Sequence, residues 1–216
     1  DKRLVVFLKL AVPNEKVKIK ITLIEKNHLI GEILEVIETS PLRRQPPCIY
    51  FEKCGGCTWL HITEAEQQHQ KEQILTDLFK KFIPQIEYKL LPTNSSEKTL
   101  GYRNRIQLKQ LGSELGYFAR GSHQIVDISS CAIAANEISE QIPKIKATLK
   151  PSDSIKKFEL RINKLNEFEF YPIGNRGEEL SFSQVNNSVN IKLVQRVTEI
   201  IQQINPQFLT ELYAGA

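Results

Sequence analysis

All four cysteines of the chain fall into one pattern: Cys48, a five-residue gap, Cys54-Gly55-Gly56-Cys57 and, far downstream, Cys131. Three thiols within ten residues, two of them separated by glycines, let a short loop wrap a metal centre with backbone N–H groups turned toward sulfur. Disulfides are disfavoured, because no export signal precedes them and a Cys54–Cys57 bridge would close a very tight ring. Zinc suits four thiolates, but structural zinc sites usually supply two close pairs. The three-plus-one spacing favours a four-thiolate iron–sulfur cluster, with zinc as the rival.

The elements that must position these thiols are legible in outline. Lys16–Ile24 alternates lysine with Val17, Ile19, Ile21 and Leu23, the pattern of a half-buried strand. With residues 4–10 before it and 29–37 after a Lys26-Asn27-His28 turn, it predicts three strands of a small antiparallel barrel. Its lysine face suits nucleic acid and solubility equally. Ser40-Pro41 and Gln45-Pro46-Pro47 form a connector read as a domain boundary. Thr63-x-x-Glu66 is a capping box opening a helix with Ile74, Leu75, Leu78, Phe79 and Phe82 on one stripe, stopped by Pro84. Residues 100–126 read as strands with Gly101, Gly112, Gly116 and Gly121 at the corners. Strands follow in 156–171, then a helix over 188–204 and a buried strand over 208–216 that enters a glycine turn.

The 216 residues carry 29 Lys and Arg against 25 Asp and Glu, a net charge of +4, which leans toward an anionic partner. No apolar run would span a bilayer and no signal segment opens the chain, so a cytoplasmic protein with no membrane partner is expected. The chain contains no Met, so Asp1 is expected not to be the native start and the chain to be a fragment.

The segment Cys54 to His61, reading CGGCTWLH, resembles the Cys-Gly-Gly-Cys segment of the RNA (uracil-5-)-methyltransferases. Further likenesses follow in order. Gly101-Tyr102-Arg103-Asn104-Arg105 resembles that family's Tyr-Arg-Asn-Arg strand, and residues 116–127 with Cys131 resemble the segment carrying its last ligand. Ser181-Phe182-Ser183-Gln184-Val185-Asn186 resembles Phe-x-Gln-Val-Asn, and Glu211-Leu212-Tyr213-Ala214-Gly215 the first cofactor strand and turn. Together they cover essentially the whole chain.

The resemblance implies a mixed fold: a truncated TRAM (OB-like) β-barrel over 1–43, an α+β iron–sulfur RNA-binding domain over 44–60 and 94–181, and the first elements of an α/β Rossmann-like methyltransferase domain over 61–93 and 182–216. It implies Cys48, Cys54, Cys57 and Cys131 as ligands of a 4Fe-4S cluster, and S-adenosylmethionine bordered by Gln184, Tyr213 and Gly215. A TRAM barrel with four cysteines most resembles the branch that methylates a 23S rRNA uridine; the tRNA branch typically lacks both features. A monomer is expected.

In such chemistry a cysteine thiolate adds to C6 of uracil, C5 takes the methyl group and a base removes the C5 proton. Every cysteine here belongs to the cluster pattern, so the nucleophile and base are expected beyond Ala216 and the fragment is expected to be inactive. Arg103, Arg105, Lys109, Arg120 and His123, interleaved with Tyr102, Tyr117 and Phe118, suit phosphate contact and base stacking, with solvated surface charge as the alternative. Phe182 suits stacking on an extruded uracil, or a place in the core. His61 and His69 receive no role. Two further readings compete: a radical S-adenosylmethionine enzyme, against which Cys131 and the spacing argue, and a non-catalytic RNA-binding protein with a four-cysteine zinc site.

Overall fold

A computed structural model describes residues 4–174 and 184–211. The chain forms two compact units, Asp1–Phe51 with Cys57–Thr93, and Glu52–Gly56 with Asn94–Ala216. Both α-helices and β-sheets are present, as the mixed-class reading expected.

In the first unit, strands β1 (Val5–Leu8), β2 (Lys16–Ile24) and β3 (His28–Glu38) form a sheet in the order β1-β3-β2. The β2–β3 hairpin is the expected one, closed by the Glu25 N–H donating to the His28 carbonyl at 2.9 Å. The all-antiparallel expectation fails for β1, which runs parallel to β3. Alternation reveals a strand but not its neighbour. Here residues 9–15, with Leu10 and Asn14 at positive φ, return the chain so that β3 lies between the other two. The lysine face of β2 is already answered within the sheet: Lys16, Lys18 and Lys20 stand opposite Glu38, Glu35 and Glu32, and Lys16 pairs with Glu38 at 3.0 Å. The Pro-rich connector is tied into this unit. Arg43 donates to the Glu15 carboxylate and to the Leu10 carbonyl, each at 2.8 Å, and holds Glu15 below the usual carboxylate range. Helix α1 (Glu64–Phe82) starts at Thr63, whose hydroxyl accepts from the Glu66 N–H, and stops one residue before Ile83-Pro84.

The second unit is built on a five-stranded antiparallel sheet, β4 (Arg105–Gly112), β5 (Glu114–Phe118), β6 (Ile125–Asp127), β7 (Ser152–Ile162) and β8 (Phe168–Pro172), in the order β6-β5-β4-β7-β8. One face supplies the core. Ile106, Leu108, Leu115, Phe158 and Leu160 are buried there, together with Ile138 of α2 (Asn136–Ser139) and Ile142 and Ile145 of α3 (Ile142–Thr148). Gly101, Gly112 and Gly121 take positive φ in turns, as corner residues should. Gly116 departs from that expectation and lies inside β5, for a reason of contact rather than conformation. Helix α4 (Asn187–Ile204) is capped by the Asn186 side chain, which accepts from the Val189 N–H at 3.2 Å. Its apolar stripe is exposed, with Val194 57% accessible. The strand expected at 208–216 is absent in its described part: residues 208–211 form no element, and Phe208 is 89% exposed. An apolar run registers as a buried strand only if something covers it, and nothing described does. No described helix is long and apolar enough to cross a membrane.

Candidate functional site

The Cys54 loop is stitched to the end of β5. Cys54 bridges Ala119, the Gly55 N–H donates to the Phe118 carbonyl at 2.9 Å, and the Arg120 N–H donates to the Lys53 carbonyl at 3.1 Å. Glycine is required at position 55 of this seam, while position 56 has room only for ordinary contact. A Cβ on Gly55 would meet the Phe118 carbonyl oxygen at 2.8 Å, and one on Gly56 would touch both Cys54 Sγ and the Tyr117 ring. The Gly56 N–H donates to Cys54 Sγ at 3.4 Å. From the other side, Cys131, whose N–H is held by Ser139 Oγ at 2.9 Å, brings its sulfur to 3.9 Å from the Tyr117 hydroxyl. Burial first, then Cys131 and Cys54, push the Tyr117 hydroxyl well above its usual range, so it stays a neutral phenol among the thiols.

Two of the four expected ligands therefore gather around one buried phenol in the second unit. Cys48 and Cys57 belong to the first unit. No cysteine forms a disulfide. Among the described residues, no three His, Cys, Asp or Glu side chains are grouped as a metal holder. The donor chemistry around Cys54 and Cys131, an N–H and a phenol beside sulfur, fits one side of a thiolate-held centre.

The face of the second sheet opposite its core is polar, and register decides which of its groups meet. Arg105 stands opposite Arg161, Gln107 opposite Glu159 and Lys109 opposite Lys157, while on β8 Glu169 and Tyr171 stand opposite Arg161 and Glu159. Glu159 is fully buried. It accepts from Gln107 Nε2 and from the Tyr171 hydroxyl, each at 3.0 Å, with Arg105 at 4.0 Å. Arg161 donates to Glu169 at 2.6 Å and lies over the Tyr171 ring. Lys109 and His123 meet on Phe118, the ammonium 5.5 Å and the imidazole 5.3 Å from its ring centre.

Burial and the Glu159 hydrogen bond push Tyr171 from its ordinary 10 up to about 12. The unfolded chain thus loses this proton first, and stability should fall as pH rises from 10 toward 12. Tyr171→Phe should flatten part of that alkaline loss in urea titrations; an identical pH profile in the variant would contradict the assignment.

The segment carrying Gln184 is sewn to the Arg103-Asn104 segment. The Asn104 N–H donates to the Val185 carbonyl at 3.0 Å, Asn104 Nδ2 donates to the Gln184 carbonyl at 3.1 Å, and Arg103 bridges Asn186. Tyr102, Asn104, Asn136, Arg161, Gln184 and Asn190 line a cavity of about 1340 Å³. Of the sequence-derived contacts, Lys109 and His123 meet on Phe118, Arg105 is drawn to Glu159, the Arg103 backbone bridges Ala134 and Asn186, and the Arg120 N–H reaches the Lys53 carbonyl. Phe182, Tyr213 and Gly215 lie outside the described residues. Lys157, Glu159 and Tyr171 were missed, because only strand register reveals that Lys157 faces Lys109, Glu159 faces Gln107 and Tyr171 faces Glu159.

No protein-family profile matches the chain. Over 215 residues it is 36% identical to an uncharacterized RNA methyltransferase of Bdellovibrio bacteriovorus, covering 99% of this chain and 55% of that protein. It is 35% identical over 160 residues to one of Bacillus cereus (70% of this chain, 35% of that protein). It is 29% identical over 151 residues to one of Thermosynechococcus vestitus (68% and 34%). The chain thus spans about half the length of the first and about a third of the others.

Proposed function

We propose that the chain belongs to the RNA methyltransferases and is the part of such an enzyme that carries RNA-binding surface. The observation that carries this reading is the 36% identity extending over 99% of the chain to a protein of that name. The polar sheet face, with Arg105, Lys109 and His123, supports RNA as the partner: ammonium and guanidinium groups meet phosphate, and rings meet bases. The finer reading is methylation of uracil C5, in 23S rRNA rather than tRNA, with S-adenosylmethionine supplying an electrophilic methyl group. Its support is the family resemblance of the cysteine, Tyr-Arg-Asn-Arg and Gln-Val-Asn segments. Gln184, on the cavity wall, is the described residue that would border the cofactor. Arg103 and Arg120 would add to RNA contact, and Phe182, Tyr213 and Gly215 keep their expected roles within the proposal.

We further propose that Cys48, Cys54, Cys57 and Cys131 hold a 4Fe-4S cluster. The support is their spacing and the thiol pair at Tyr117. Methyl transfer by this route moves no electron, so the cluster's work would be structural. Anaerobically purified chain should contain iron and inorganic sulfide and absorb in the visible. Zinc without iron would replace the cluster with a structural zinc site, and neither metal would remove the four-thiolate reading altogether.

The reaction itself is tested by transfer of labelled methyl from S-adenosylmethionine to 23S rRNA transcripts. The 216-residue chain should bind RNA without transferring methyl, since all four of its cysteines are assigned to the cluster. The product of the native gene should label uridine at C5. Label at another atom, or none, would overturn the uracil-5 reading.

A further inference from the structure

The two sheets treat their lysines in opposite ways. On β2 every lysine of the alternating face stands opposite a glutamate of β3. On the second sheet Lys109 of β4 stands directly opposite Lys157 of β7, a like-charge pair that destabilises adjacent strands when nothing lies between the charges. Among the described residues neither lysine enters an ion pair. The nearest acid in the register, Glu159, is fully buried and already accepts from Gln107 and Tyr171. Lys109 is half-buried over the Phe118 ring, and desolvation, then Lys157, hold it below its ordinary value. Exposed His123 rests edge-on against the same ring.

We propose that Lys109 and Lys157 form a two-cation seat for one phosphodiester of single-stranded RNA, with Phe118 and His123 beside it to meet the adjoining base. Two non-bridging oxygens on one phosphorus can answer two ammonium groups at once, and a carboxylate from the protein would occupy the seat. The site rests on the RNA-binding reading above and adds a residue, Lys157, that only the strand register reveals.

The test uses the full chain, a fluorescein-labelled single-stranded RNA and anisotropy across a potassium chloride series. Lys157→Glu should weaken binding about tenfold and make the slope of log affinity against log salt shallower by about one. The same substitution should raise the unfolding midpoint, because a lysine–glutamate pair replaces a repulsive one. Lys156→Glu changes the net charge equally but lies opposite Gln110, on the other face of the strand, and should weaken binding less. Equal losses in the two variants would overturn the seat while leaving RNA binding intact. Failure of the unaltered chain to bind any RNA would overturn the seat and the functional reading together. Loss of polyglutamate binding by Lys157→Glu with RNA affinity unchanged would assign the pair to an acidic peptide instead and overturn the proposal.

Discussion

Gly116→Ala is expected to lower stability by about 3–5 kcal/mol, read as a drop in the urea midpoint. A Cβ at this position would lie 1.9 Å from the Val126 carbonyl oxygen and 3.0 Å from its carbonyl carbon. Both atoms belong to the backbone of β6, so no side chain can swing aside, and the strand must separate from β5. That separation would break the pairing of Gly116 with Asp127 and the hydrogen bonds of Leu115 to the Asp127 carboxylate and the Ile128 N–H, each 3.0 Å. It would also reach the thiols, because Cys131 follows β6 by four residues and its place beside Tyr117 depends on that strand. Gly112→Ala is the control: open space surrounds its would-be Cβ, and only its φ of +58° resists, at about 1 kcal/mol. Equal midpoints for Gly116→Ala and the unaltered chain would disprove the close approach of the two strands.

The second large effect is expected at Glu159. Truncation to Ala should destabilise the chain by about 3–5 kcal/mol, since it leaves Gln107 Nε2, the Tyr171 hydroxyl and Arg105 without the group they share. Glu159→Gln keeps the shape and part of the hydrogen bonding and should lose about 1–2 kcal/mol. Because Tyr171 and Glu159 touch, the Glu159→Ala and Tyr171→Phe losses should sum to more than the loss in the double variant. Strict additivity in that cycle would show that the two groups do not interact. The same variants bear on function: the Gln107–Glu159 rung stands between Arg105–Arg161 and Lys109–Lys157 in the register, and loss of Glu159 releases the Arg105 guanidinium it holds, so RNA binding in the folded fraction should weaken as well.

The thiols, the rings and the cations serve one arrangement of β5. Its outgoing end carries Tyr117 against Cys131 on one face and Phe118 against Lys109 and His123 on the other, because successive residues of a strand point to opposite sides. Under the proposed function, a centre held at Cys54 and Cys131 would stiffen the strand that presents Phe118, and its role would be structural.

Much of this molecule is decided locally and can be read along the chain. The Thr63 cap and Pro84 bound α1, the Asn186 side chain caps α4, the lysine alternation makes β2, and three of four suspected corner glycines take the left-handed turn. Each depends on the preferences of a few neighbouring residues. The cysteine spacing suggested one four-thiolate locus, and the tertiary structure shows the Cys131 sulfur 3.9 Å from the Tyr117 hydroxyl, in the unit that also holds Cys54. What the tertiary structure alone decided is pairing across distance: β1 beside β3 in parallel, glutamates opposite the lysines of β2, a lysine opposite Lys109, and a buried acid at Glu159. Linear alternation states which side chains share a face. Register states which of them touch, and a shift of one residue would exchange the two faces entirely.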